Sequence, residues 1–167
     1  MTMSSSTLTR RALLFGSVGD RGPRPPWSVT GEDFGTRCTG CDACIRACPE
    51  QVLRRAADGL PRFDPSAGSG ECTFCGACAA ACTTGALDSG QARPWSLRAK
   101  VGEGCLPASG IVCASCREVC PELAIRVPPG GRGAAWIDAA RCTGCGACVG
   151  VCPAGVVALS EAEEVCA

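Results

Sequence analysis

Apolar positions in this chain come in short recurring bursts rather than in long stripes. Four times a cysteine-rich turn leads into a short segment around its last Cys, Ala-rich in most copies, and then into a small apolar pair: Val52–Leu53, Ala86–Leu87, Ala124–Ile125 and Val156–Val157. Ahead of the second and fourth turns stand LPRFD (60–64) and AAWID (134–138), each reading as a short strand that enters the next turn. The pattern predicts an α+β chain of short strands and short helices with much irregular structure. Residues 88–104, with Pro94, Trp95 and Gly102, read as a connection between two halves. Residues 1–36 are rich in Ser, Thr, Gly, Pro and Arg and lack periodicity, which predicts a flexible, extended arm. The expected organisation is an arm over 1–36, one module over 37–90, a second over 91–160 and a tail over 161–167.

Composition changes the picture of what holds such a chain together. Of 167 residues, 17 are Cys, so cysteine chemistry dominates folding. A chain this small gains little from a hydrophobic core alone and needs disulfides or metal. The cysteine count is odd and the residues sit in tight groups, which disfavours a secreted disulfide scaffold and fits a reducing compartment. There is no His, which excludes Rieske ligation, imidazole–zinc sites and His-based acid–base catalysis. No nucleophile–base pair suggests an enzyme. Sixteen basic and sixteen acidic residues cancel and are scattered, so no nucleic-acid footprint is present. No apolar run is long enough to span a membrane. Arg10 and Arg11 precede a brief apolar run, Ala12 to Phe15, like the start of a twin-arginine signal, but Gly16 and Ser17 end it too soon for export.

The cysteines fall into four sets of four. The first is Cys38, Cys41, Cys44 and Cys48, the second Cys72, Cys75, Cys78 and Cys82, and the fourth Cys142, Cys145, Cys148 and Cys152. Each of these three follows C-x2-C-x2-C-x3-C, the bacterial ferredoxin run, in which three thiolates clasp one 4Fe–4S cluster and the fourth ligates its neighbour. The third set, Cys105, Cys113, Cys116 and Cys120, has a first gap widened to seven residues and is expected to hold a fourth cluster, the alternative being a labile, three-iron or empty site. Zinc ribbons use two separated C-x2–4-C pairs and fit this spacing poorly. Cross-ligation predicts that adjacent sets pair: Cys38, Cys41 and Cys44 with Cys82; Cys72, Cys75 and Cys78 with Cys48; Cys105, Cys113 and Cys116 with Cys152; Cys142, Cys145 and Cys148 with Cys120. A nested arrangement, first set with fourth and second with third, uses the same residues, and spacing does not choose. Cys166, near the C-terminus, is expected to be a free thiol. Phe34, Phe63, Phe74, Trp95 and Trp136 are expected to shield clusters and fill a small core. Because metal must gather deprotonated thiolates, cluster binding is expected to be coupled to folding.

The RPPW run at Arg24–Trp27, the RCTGCDAC entry at Arg37–Cys44, ECTFCGACAAAC, ARPWSL, the widened third set and the terminal CTGCGACVGVCP together resemble the NapF family. These are ferredoxin-type accessory proteins of periplasmic nitrate reductase systems. The resemblance implies ferredoxin-like modules in two pseudo-symmetric two-cluster units and a cytoplasmic location. It also implies binding to the immature catalytic subunit of the periplasmic nitrate reductase, to assist its iron–sulfur maturation before export. General electron transfer as a polyferredoxin is the other function these features allow.

Overall fold

A computed structural model describes residues 22–31 and 33–161. Its helices are single turns placed by the cysteine loops: α1 (Asp33–Arg37), α2 (Ala43–Ala47), α3 (Ala77–Ala80), α4 (Ser115–Glu118) and α5 (Ala147–Gly150). The last four each contain the third cysteine of a set: Cys44, Cys78, Cys116 or Cys148. Isolated helices this short are unstable in water, so they depend on what the loops around them bind and on packing.

Strands follow the apolar pairs. In the first half β1 (Leu53–Arg55) and β2 (Pro61–Phe63) form an antiparallel hairpin with Leu53 opposite Phe63, both buried. In the second half β4 (Ile125–Arg126) and β5 (Trp136–Ile137) pair in the same sense, with Ile125 opposite Ile137. LPRFD and AAWID thus become the return strands of these two hairpins. One ladder lay hidden in the expected connection: β3 (Leu97–Val101) pairs antiparallel with β6 (Val157–Glu161) over five residues, from Leu97 opposite Glu161 to Val101 opposite Val157. Leu97 and Ala99 alternate with Arg98 and Lys100, which turns one face of β3 inward. Its counterpart in the first half is a single bridge, Ser28 to Leu87, reinforced by Val29 N–H donating to the Ala86 carbonyl at 3.1 Å.

That bridge alters the reading of the arm. Residues 1–21 lie outside the described residues, but the stretch from Gly22 onward is built into the first half rather than free of it. Phe63 N–H donates to the Pro23 carbonyl at 2.8 Å, Pro25 is fully buried, and Phe34 is 0% exposed. The buried rings and prolines explain why a segment without periodicity is nonetheless fixed.

Two small cores result. One gathers Phe34, Val52, Leu53, Phe63, Ala86 and Leu87 around Cys44 and Cys78, and the other gathers Ala99, Ile125, Ala135 and Val157 around Cys105 and Cys148. Leu159 on β6 packs against both. Phe63, Phe74 and Trp95 form a further cluster, Trp95 meeting the two phenylalanines edge-on at centroid distances of 5.0 and 5.6 Å. Trp136, expected to shield a cluster, is instead 56% exposed: strand alternation turns Ile137 toward the core and Trp136 outward beside Arg126.

Candidate functional site

The cysteine loops share a backbone code. The residue before the second Cys takes positive φ in three sets, as Gly40 (66°), Phe74 (55°) and Gly144 (78°). The residue after that Cys does so again, as Asp42 (60°), Gly76 (76°) and Gly146 (93°). Three residues beyond the fourth Cys, all four sets repeat the feature, at Gln51, Gly85, Leu123 and Gly155. Left-handed residues among right-handed ones turn successive N–H groups into one concavity, a nest suited to an anion or an iron–sulfur cluster. Asp tolerates this conformation better than most side chains. Asp42 is further held by Arg55, whose guanidinium pairs with its carboxylate at 2.8 Å and also donates to the Gly40 and Gly59 carbonyls.

The third set departs. Val112 and Ala114, at the first two of these positions, keep negative φ (Ala114, −138°), and the widened gap is filled by a 3-10 turn, Leu106–Ser109, ending at Gly110.

The loops nonetheless bring thiols together in the same way. One cavity is lined by Cys72, Cys75 and Cys78 with Cys48; a second by Cys142, Cys145 and Cys148 with Cys120; a third by Cys105, Cys113 and Cys116 with Cys152. They are alike in size, about 340, 330 and 370 Å³ of space free of protein atoms, open solvent at the mouth included. In each, three thiols come from one set and the fourth from the adjacent set, so adjacent sets pair and the nested arrangement is not the one adopted. Cys38, Cys41 and Cys44 also lie close enough for Cys38 and Cys41 to raise the Cys44 pKa. Among the described residues no three Cys, Asp or Glu converge closely enough to hold a single ion. Zinc needs donors about 2.3 Å away around one point; four thiols around a walled space suit a cubane instead.

Burial and hydrogen bonding divide these thiols into two kinds. Burial, reinforced by neighbouring cysteines, pushes Cys78 and Cys148 up to about 12, and Cys44 and Cys72 up to about 11. Cys82 and Cys152, fourth in their sets, go the other way. Burial raises them, but the Thr84 hydroxyl and the N–H groups of Leu87, Thr84 and Ala86 outweigh it at Cys82. At Cys152 the N–H groups of Val156, Ala154, Val157 and Gly155 do the same. Backbone N–H groups also donate to sulfur at Cys72, Cys105, Cys120 and Cys142, over 3.4 to 3.5 Å. A donor set of thiolates steadied by N–H groups is what an iron–sulfur cluster requires.

Nothing in the spacing foretold how the halves meet. Cys72 N–H donates to the Cys145 carbonyl at 2.8 Å, joining the walls of two cavities directly. Trp95 Nε1–H donates to the Thr143 carbonyl at 3.1 Å. A Cβ on Gly146 would lie 2.8 Å from Phe63 Cζ and 2.9 Å from Pro65 Cβ, and one on Gly150 would lie 3.0 Å from the Pro65 carbonyl. Glycine just before α5 and at its last residue therefore lets the first half approach.

The 4Fe–4S dicluster domain family matches this chain twice, at residues 37–86 and 111–156. The ferredoxin-type protein NapF of Escherichia coli K12 is 37% identical over 153 residues, covering 89% of this chain and 92% of that protein. NapF of Haemophilus influenzae is also 37% identical, over 86% of this chain and 81% of its own. The chain belongs to the NapF family of ferredoxin-type proteins. It is an iron–sulfur protein of the 4Fe–4S type with a repeated dicluster domain. A methylamine utilization ferredoxin-type protein, MauM of Methylorubrum extorquens, is 35% identical over 81% of this chain and 70% of that protein. Among the described residues no helix is long and apolar enough to cross a membrane. Cys166, Arg10 and Arg11 lie outside the described residues.

Proposed function

We propose that this protein is a non-enzymatic iron–sulfur accessory protein of the periplasmic nitrate reductase system. In this reading it binds the immature catalytic subunit in the cytoplasm and assists its iron–sulfur maturation before export. Sixteen cysteines hold four 4Fe–4S clusters: Cys38, Cys41, Cys44 with Cys82; Cys72, Cys75, Cys78 with Cys48; Cys142, Cys145, Cys148 with Cys120; and Cys105, Cys113, Cys116 with Cys152. The two halves are read as pseudo-symmetric two-cluster units. The observation that carries the reading is the repeated 3 + 1 convergence of thiols around cavities of one size, in a chain of the NapF family.

Such clusters supply one-electron chemistry when bound. The protein's own contribution is to gather the thiolates, to present N–H groups to them, and to shield them with Phe63, Phe74 and Trp95. The Cys72–Cys145 hydrogen bond between halves favours an order in which the second and fourth cysteine loops are innermost. That contact also supports the second reading, a general electron-transfer polyferredoxin, as does likeness to a protein of methylamine utilization. Anaerobic incubation of the loaded protein, labelled in iron and sulfide, with the cluster-free catalytic subunit separates them. Transfer of label into a co-purifying complex is expected; clusters that only change redox state, without binding the subunit, would reject the maturation role.

A further inference from the structure

The RPPW run has no role in the cluster-binding pattern, yet its last residue combines three unusual properties. Trp27 has φ of 69°, a conformation rare for a large side chain, which persists only where the surroundings enforce it. Those surroundings are three hydrogen bonds on one residue: its N–H donates to the Pro94 carbonyl at 2.7 Å, and its carbonyl accepts from Asp88 N–H and from Gln91 Nε2, each at 2.8 Å. Trp27 forms part of the wall around Cys48, Cys72, Cys75 and Cys78. Its Nε1–H is buried and finds no acceptor in the protein.

A buried indole donor without a partner is costly, since Trp N–H groups inside proteins almost always find one. Three other buried side-chain atoms among the described residues, Asp42 Oδ1, Arg62 Nη1 and Ser160 Oγ, are also unpartnered, but none belongs to the wall of these three cavities. The protein thus spends strained, clamped backbone to hold a donor at a cavity wall whose natural occupant is rich in acceptor sulfur. We infer that Trp27 Nε1–H donates a hydrogen bond to sulfur of the cluster held by Cys48, Cys72, Cys75 and Cys78, and so sets that cluster's potential above what its thiolates alone would give. Hydrogen bonds to cluster sulfur favour the more negative, reduced state, which is how they tune potential. Trp27 is on this account a tuning residue and makes no bond to iron. The inference rests on the ligand set proposed above.

The test uses the full chain loaded with clusters. With indole nitrogens labelled, the Nε1–H of Trp27, assigned by its loss in Trp27→Phe, should show a hyperfine shift in the reduced protein and slow exchange with solvent. An unshifted, fast-exchanging proton would overturn the inference. Trp27→Phe should keep iron and sulfide content and shift one couple negative, changing its reduced-to-oxidised ratio at fixed potential about tenfold, or ~59 mV for a one-electron couple. Unaltered potentials at full iron content would likewise overturn it. Should Trp27→Phe lose iron, the spectrum of the unsubstituted protein decides alone. Cys75→Ala tests the ligand set separately, because it should remove the iron of one cluster whatever Trp27 does.

Discussion

Substituting alanine for Gly146 and, in parallel, for Gly76 isolates the strength of the contact between the two halves. The two glycines occupy the same place in their cysteine loops, each preceding a short helix and each left-handed, with φ of 93° and 76°. Alanine in that conformation costs about 1–2 kcal/mol. Their surroundings differ. A Cβ at Gly76 has nothing within 4 Å, whereas at Gly146 it would sit 2.8 Å from the Phe63 ring and 2.9 Å from Pro65. Overpacking of that kind costs about 1–3 kcal/mol more. Gly146→Ala should therefore destabilise by about 2–5 kcal/mol and Gly76→Ala by about 1–2 kcal/mol. The effect of a lost glycine on the unfolded chain is common to both and cancels. Cluster loss is irreversible, so the appropriate assay is the rate of bleaching of the cluster absorption in anaerobic denaturant. If the halves dock late in folding, the difference lies in unfolding, and Gly146→Ala should bleach roughly 5 to 150 times faster than Gly76→Ala. Magnetic coupling between clusters of the two halves in the fully reduced protein should weaken in Gly146→Ala alone. Equal bleaching rates with unchanged coupling would refute the contact.

Four further outcomes are expected. Anaerobic analysis of the loaded chain should give about sixteen irons, falling to about twelve in Cys105→Ala; twelve in both would leave the third set without a cluster. Arg55→Ala, which frees Asp42 and the Gly40 carbonyl, should speed chelator removal of one cluster's iron several-fold without reducing the initial content, and unchanged kinetics would refute the clamp. Compact iron-free chain holds protons on Cys78 and Cys148, pushed up to about 12, that the unfolded chain releases near about 8.5. Stability present below that lower value is lost as pH rises towards the upper one, so circular dichroism should show expansion across this window in iron-free but not in loaded protein. Deleting residues 1–21 should weaken binding to the immature catalytic subunit at constant iron content. A cut at residue 36 cannot make this test, because it removes the buried Pro25 and Phe34 as well.

Much of the site was legible because its information is local. C-x2-C-x2-C leaves so few backbone routes around a cluster that spacing alone picked out the thiols that line the three cavities, and the apolar pairs after the first and third sets marked the hairpin strands. Pairing between distant segments was not legible to the same degree. LRAKV carries the period-2 signal of a strand, but its partner lies some sixty residues away and no local feature points to it. The same holds for Ser28 and Leu87, where a proline-rich segment looks unstructured until Phe34 and Pro25 are seen to be buried. A trace of the junction was present: CGACVGVC has glycine at both 146 and 150, where CGACAAAC has Gly76 and Ala80. Glycine both before and at the end of a one-turn helix marks a close neighbour.

The third set shows where spacing stops being informative. In the other three, two left-handed residues per loop fix how the first three thiols turn inward, and Gly40, Gly76, Gly144 and Gly146 announce most of those positions. Seven residues between Cys105 and Cys113 admit many routes, and Val112 and Ala114 do not take the left-handed ones. The chain instead makes a 3-10 turn and reverses at Gly110, leaving Ile111 and Val112 52% and 84% exposed. Cys105 still reaches the cavity it shares with Cys113, Cys116 and Cys152, 8% exposed and accepting from Ala135 N–H at 3.5 Å. Convergence of four thiols is therefore kept while the backbone that achieves it is replaced. The widening changes the nest of N–H groups and the surface above it more than the donor set. A difference of this third site from the others should consequently appear in potential and exchange rate before it appears in iron content.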